Sequence, residues 1–119
     1  MVVSRWRVFT ETSDSEAARL LISRLQESAN CEFLSVAIND YHKGGHVATF
    51  DVGHDVRSWQ AAVYAIITCA QMMGRSCSVA GLIEEEIDLV IADTTISGVE
   101  LVTCQCFRPS DLGGNQEDD

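Results

Sequence analysis

The sequence predicts an α+β protein, a ferredoxin-like two-layer sandwich in which an antiparallel sheet of about five strands carries two helices on one face. Apolar residues alternate in five short segments and form stripes at helical spacing in two longer ones. These segments follow the order strand–helix–strand–strand–helix–strand–strand. A Gly-Gly pair between the second and third strands indicates a tight hairpin, which is the strongest topological feature of the chain.

The first two predicted elements are a strand over 5–11 and a helix over 13–28. The strand's alternating apolar residues are Trp6 and Val8. Ser13 stands three residues before Glu16, the spacing of a capping box that satisfies free backbone N–H groups at a helix start. The helix carries an apolar stripe of Ala17, Leu21 and Leu25, with Leu20 and Ile22 beside it.

The hairpin is predicted from the segments 31–40 and 46–53. Gly44 and Gly45 lie between them and supply the positive φ angles that a tight turn needs. The alternating apolar residues of the first strand are Leu34, Val36 and Ile38. Those of its partner are Ala48, Phe50 and Val52. Each strand therefore has one face suited to a core.

A second helix is predicted from about Arg57 to Met73, with Asp55 as N-cap and Gly74 as its C-terminal stop. Its apolar stripe consists of Trp59, Ala62, Val63, Ile66, Ala70 and Met73. The remaining sides of this helix are also largely apolar. Such a helix lies at the centre of the core or is partly covered by a second chain, so a homodimer is left open.

The last third of the chain contains a clear strand at 99–107 and an ambiguous acidic segment at 84–93. The ambiguous segment fits either strand or helix periodicity, and its β-branched residues favour a strand. A strand would place Glu84, Glu86 and Asp88 on one face, opposite an apolar face. The apolar face would consist of Ile87, Leu89 and Ile91.

The composition predicts one cytoplasmic domain over 1–109, followed by a disordered acidic tail over 110–119. The chain has 119 residues, is 46% hydrophobic and contains no apolar run long enough for a signal peptide or a membrane span. Its five cysteines are an odd number and predict free thiols. The net charge of −10 repels phosphate backbones and anionic membranes, so neither nucleic acid nor membrane is an expected partner.

The acidic segment has two main interpretations. Its carboxylates either form a solvated face that protects an edge strand from pairing, or they receive arginine and lysine side chains of a basic protein. A catalytic carboxylate pair is less favoured, because adjacent solvated glutamates offer no contrast of environment. The predicted partner-binding residues are Glu84, Glu85, Glu86, Asp88, Tyr41 and Asp93.

Metal, cysteine and nucleotide chemistry have weaker support. His42, His46 and His54 are weak candidates for a metal site, but no helical HExxH pattern accompanies them. Cys104 and Cys106 form a C-x-C on one face of a strand, with side chains about 7 Å apart, and core packing beside Cys69 or Cys77 is their expected role. No phosphate-binding glycine motif occurs, and no cofactor is expected.

Three classes of function follow, with a non-enzymatic binding protein first. A compact acidic domain without catalytic motifs resembles, in general character, inhibitors of basic bacterial toxins, especially immunity proteins that block a nuclease. That resemblance implies a basic protein partner. The alternatives are a small-molecule-binding or dimeric regulatory α+β domain, and a small α+β-barrel-type enzyme that depends on His46 or His54.

Overall fold

The computed structural model describes residues 1–110 and 112, and shows an α+β fold with one six-stranded antiparallel sheet and two helices. In chain order the elements are β1 (Val2–Thr10), α1 (Ser15–Ala29), β2 (Leu34–Asp40), β3 (His46–His54), α2 (Trp59–Met73), β4 (Gly74–Ala80), β5 (Glu86–Thr94) and β6 (Val99–Phe107). Within the described residues, neither helix has the length and apolar content needed to cross a membrane. Most of the predicted tail over 110–119 lies outside the described residues.

The sheet order is β2-β3-β1-β6-β5-β4, so the prediction of about five strands is corrected to six. The additional strand, β4, begins directly where α2 ends and pairs with β5. The ferredoxin-like detail is not confirmed, because α2 leads to the sheet edge and the chain returns through β5 to β6. Each half of the sheet thus consists of three neighbouring strands, and α1 packs mainly on β2 and β3 while α2 packs on β4 and β5.

One face of the sheet and both helices form a single core. Alternate residues of β1 face it, and the register places Trp6 between Phe50 of β3 and Cys104 of β6. The fully buried large side chains are Trp6, Trp59, Phe50, Leu25, Ile66, Met73, Ile87, Leu89, Ile91, Val2, Val8 and Val102. The predicted stripes of β1, β3 and α2 are therefore largely confirmed, because period-2 and helical spacing each bring one row of side chains inward.

Both helix starts differ from the predicted caps. The N-cap of α1 is Asp14 rather than Ser13, and its carboxylate accepts a 2.8 Å bond from the N–H of Ala17. The N-cap of α2 is Ser58 rather than Asp55, with its hydroxyl accepting from the N–H of Ala61. In both cases two nearby side chains are able to cap the helix, and the one closer to the helix does so. Sequence spacing alone does not show which of the two is the N-cap.

The predicted hairpin is confirmed, but β2 is an exposed edge strand. Gly45 has a φ of +77°, and a Cβ there would lie 2.0 Å from the carbonyl oxygen of Thr10, so the turn needs glycine. The β2–β3 register shifts between Leu34 and Ala37, and Ser35 has a φ of +55°. This irregularity leaves the predicted inward residue Val36 37% exposed.

The strand interpretation of the acidic segment is confirmed from Glu86 onward. Ile87, Leu89 and Ile91 face the core as expected. Glu84, however, precedes the strand and lies in a turn. The edge interpretation is wrong, because β5 pairs with β4 on one side and β6 on the other.

Candidate functional site

The acidic residues that begin β5 lie at one end of the sheet, and we call Glu84, Glu85, Glu86 and Asp88 the acidic end. A turn holds the first of them, because the N–H groups of Glu85 and Glu86 both donate to the carbonyl of Leu82, at 2.7 and 2.9 Å. The indole N–H of Trp59 donates to the carbonyl of Ile83 at 2.6 Å. Trp59, which is buried in α2, therefore holds the backbone of the turn through this hydrogen bond.

Arg108 fastens the same turn from the last strand, again through the backbone. Its N–H donates to the carbonyl of Glu85 at 2.8 Å, and its guanidinium donates to the carbonyl of Glu84 at 3.2 Å. Within the described residues, the ion pairs are Arg5–Asp51 and Arg75–Asp93, the imidazole of His46 contacts the carboxylate of Asp40, and none of these contacts involves the acidic end. Hydrogen bonds to its backbone hold the turn, while its carboxylates keep their full capacity to accept hydrogen bonds.

An open groove of about 480 Å³ lies beside the acidic end. It is lined by Glu85, Glu86, Phe107, Arg108, Pro109, Ser110 and Leu112. Phe107 pairs with Glu86 across β5 and β6, on the face of the sheet without helices, and is 61% exposed. Sequence reasoning placed Phe107 in a strand but missed its role in this groove. The sequence did indicate that Phe107 faces away from the core, because it lies an odd number of residues from the buried Cys104 and Cys106 on the same strand.

Two of the predicted partner-binding residues do not join the acidic end. Tyr41 lies at the β2–β3 turn and packs edge-on against Phe9, with ring centroids 5.1 Å apart. Its turn is level with Thr10, whereas the acidic end is level with Val3, about 23 Å away along β1. Asp93 lies towards the other end of β5 and binds Arg75 at 2.8 Å.

The three histidines do not converge. His46 and His54 occupy the two ends of β3, about 26 Å apart at strand rise, and His42 lies in the exposed hairpin turn against Tyr41. No group of three or more histidine, cysteine, aspartate or glutamate side chains in the described part of the chain is arranged to hold a metal ion.

His46 lies in a polar chain that links three segments. Its Nε2 lies 3.2 Å from a carboxylate oxygen of Asp40, and its Nδ1 lies 2.8 Å from the hydroxyl of Thr12. The hydroxyl of Thr12 lies 2.9 Å from that of Thr10. The imidazole is buried, but the carboxylate of Asp40 is 95% exposed, unlike the buried carboxylate that orients a catalytic histidine. We call Thr10, Thr12, Asp40 and His46 the hairpin end.

His54 forms a pair with Ser4, whose side chain is sealed in the core. The indole N–H of Trp6 donates to the Ser4 hydroxyl at 2.8 Å, and the hydroxyl oxygen lies 2.8 Å from Nε2 of His54 and 3.4 Å from the carbonyl oxygen of Val52. Burial lowers the pKa of His54, which favours the neutral form of its ring. Ser4 is fully buried and cannot meet a substrate, so the pair fills the core rather than forming a nucleophile and base.

The cysteines form two different groups. Cys104 and Cys106 are buried on one face of β6, as predicted, and burial raises the pKa of both, that of Cys106 to about 11. Cys31 and Cys69 come together with their sulfur atoms 3.3 Å apart. Sequence reasoning missed this pair, because 38 positions separate the two residues and no short motif signals the contact.

Comparisons with family models, with curated proteins and with solved structures found no match for this chain. The fold alone assigns no function, since one architecture supports many activities. The acidic end and its groove are therefore the features of this chain that best indicate a function.

Proposed function

We propose that this chain is a non-enzymatic binding protein whose acidic end engages a basic protein partner. Its most specific form is an immunity-type inhibitor that covers a basic surface of a bacterial toxin. One observation carries the proposal: Glu85 and Glu86 line a groove that contains the exposed ring of Phe107, and within the described residues none of the four carboxylates of the acidic end forms an ion pair. Arginine and lysine side chains are the natural complement of such a surface.

The chemistry of the groove favours a protein over a small cation. Interfaces commonly combine a central aromatic side chain with a polar or charged rim, and most of the binding energy comes from the centre. Phe107 supplies the apolar centre here, and Glu85 and Glu86 supply the rim. The net charge of −10 adds long-range attraction for a basic partner and accelerates its association.

The test is affinity capture with two variants of matched charge. Immobilised full-length chain is expected to retain a single basic protein from native lysate at low salt and to release it at high salt, because exposed charge is screened. The variant E84K/E85K/E86K/D88K is expected to lose on the order of 100-fold or more in affinity for that protein. The measurement is titration of the purified partner against each variant.

The matched control is E11K/E27K/E32K/E100K, which reverses four exposed carboxylates elsewhere and changes the net charge equally. It is expected to bind nearly as the unmodified chain does. Equal losses in both variants would mean that net charge alone attracts the partner, and equal retention would remove the acidic end from the interface. Circular dichroism of both variants establishes that each remains folded.

A second candidate function, a small-molecule-binding or dimeric regulatory domain, is favoured by a different region. The helix α2 contains no charged residue, and its Tyr64 is 75% exposed at the rim of a cleft of about 300 Å³. Clefts lined mainly by apolar groups with a few polar ones are typical of ligand sites. If the unmodified chain captures no basic protein, this class becomes the preferred proposal.

A further inference from the structure

The thiols of Cys31 and Cys69, which are far apart in the sequence, lie close together in the fold. Cys31 follows Asn30, the residue whose left-handed conformation ends α1, and Cys69 lies in α2. Their sulfur atoms are 3.3 Å apart. A disulfide bond of about 2.05 Å therefore needs only a small further approach of the two side chains.

The pair opens to the surface through a cleft. Both cysteines line the cleft of about 300 Å³ between the end of α1, the end of β3 and α2. Cys31 is half-buried, while Cys69 lies deeper and is only 8% exposed. A small oxidant can therefore reach Cys31 first, and Cys69 is positioned behind it.

The pKa values of the two thiols are shifted in opposite directions, and the more exposed thiol, that of Cys31, has the lower pKa. The hydrogen bond from the Cys69 thiol lowers the pKa of Cys31 because it stabilises the Cys31 thiolate. The same contact, together with burial, raises the pKa of Cys69. Since the thiolate is the reactive form, the greater exposure of Cys31 and its lower pKa both favour Cys31 as the nucleophile of the pair.

We propose that Cys31 and Cys69 are a redox modification site, in which a hydroperoxide converts the two thiols into a reversible disulfide. In the first step the Cys31 sulfur attacks the peroxide, an S–O bond forms, the O–O bond breaks and the departing oxygen takes a proton to leave as water or an alcohol. In the second step the Cys69 sulfur attacks the Cys31 sulfenic acid, and water leaves with the Cys69 proton. The protein loses two electrons, and the peroxide gains them.

The other cysteines provide internal controls for this site. Cys104 and Cys106 project from one strand about 7 Å apart and are buried, so they lack both the contact and the access. Cys77 is half-buried on the edge strand β4 and has no thiol partner within the described residues. Cys77 therefore reports how fast an accessible but isolated thiol reacts. The proposal uses no residue of the acidic end and stands apart from the binding function.

The test is oxidation of the reduced full-length chain with stoichiometric hydrogen peroxide, followed by intact mass and peptide mapping. The expected product has lost the mass of two hydrogen atoms, retains three of its five free thiols and contains a Cys31–Cys69 cross-linked peptide. The bond closes a long loop, so Tm is expected to rise by on the order of 10 °C. A reductant should reverse both changes.

Variants distinguish this site from general oxidation. C77S should react as the unmodified chain does, C31S should not form the disulfide, and C69S should stop with added oxygen on Cys31. The cross-link should form on the order of tenfold faster than Cys77 is oxidised. Oxidation of Cys77 at an equal rate, or the absence of the cross-link, would overturn the proposal. A cross-link obtained with glutathione disulfide but not with peroxide would overturn the hydroperoxide as co-reactant.

Discussion

The polar side chains at the two ends of the sheet differ in whether they bind other side chains of the protein. At the hairpin end, the carboxylate of Asp40 and the hydroxyl of Thr12 both bind the imidazole of His46. At the acidic end, hydrogen bonds from Trp59 and Arg108 reach backbone carbonyls and leave the carboxylates unpaired within the described residues. One end binds its polar groups internally, whereas the other presents them outward.

The polar groups of the hairpin end therefore contribute to the folded structure, whereas those of the acidic end are available to a partner. Neighbouring like charges repel, so a cluster of unpaired carboxylates brings no stability of its own to the folded state. A buried imidazole with partners on both nitrogens, in contrast, stabilises the chain segments that it connects. Residues of the hairpin end should therefore affect folding, and residues of the acidic end should affect association.

The largest effect on stability is expected at the hairpin end. Replacing His46 with alanine leaves the hydroxyl of Thr12 without its imidazole partner and removes a buried ring, which leaves a cavity. We expect the free energy of unfolding to fall by about 2 kcal/mol, measured by urea denaturation. D40N is the control and should cost less than about 1 kcal/mol, since its carboxylate is exposed. Equal losses in both variants would contradict this account of the hairpin end.

A smaller, pH-dependent effect is expected from His54, which lies on the core side of the sheet. Burial lowers the pKa of His54 below 6.5 in the folded state, so the unfolded chain binds the proton more readily. Its contribution therefore makes stability fall as pH decreases below about 6.5, and the loss ends once the folded pKa is passed. Urea unfolding at pH values on both sides of 6.5 measures this slope.

The variant H54Q should remove that part of the slope. An unchanged slope in H54Q would show that other groups cause the pH dependence.

The periodic parts of the fold were predictable from sequence. The inward rows of β1 and β3 followed from alternation, and the α2 stripe followed from spacings of three and four. In α1 the stripe is displaced, because Ala18 and Ile22 are buried while Leu20 is 54% exposed. Several overlapping apolar rows fit that segment, and only the packing against the sheet selects one of them.

The missed features depend on contacts that no local pattern encodes. The edge strand β4 (Gly74–Ala80) is mostly exposed, so its sequence shows no alternation of apolar and polar residues. Its Gly74 does end α2 as predicted, but in an extended conformation that starts the next strand. The Cys31–Cys69 contact and the Ser4–His54 bond each join residues far apart in the chain. The charge of the acidic end was visible in sequence, whereas its separation from Tyr41 followed only from strand order.

The measurement that most directly tests this division between the two ends is the stability of a chain with a neutral acidic end. In E84Q/E85Q/E86Q/D88N we expect the free energy of unfolding to remain within about 0.5 kcal/mol of the unmodified chain, or to increase as repulsion is removed. D93N, which loses the exposed ion pair with Arg75, is the control for a paired surface carboxylate. A decrease of more than about 1 kcal/mol in the fourfold variant would show that these carboxylates hold the fold, and would contradict their assignment to a partner.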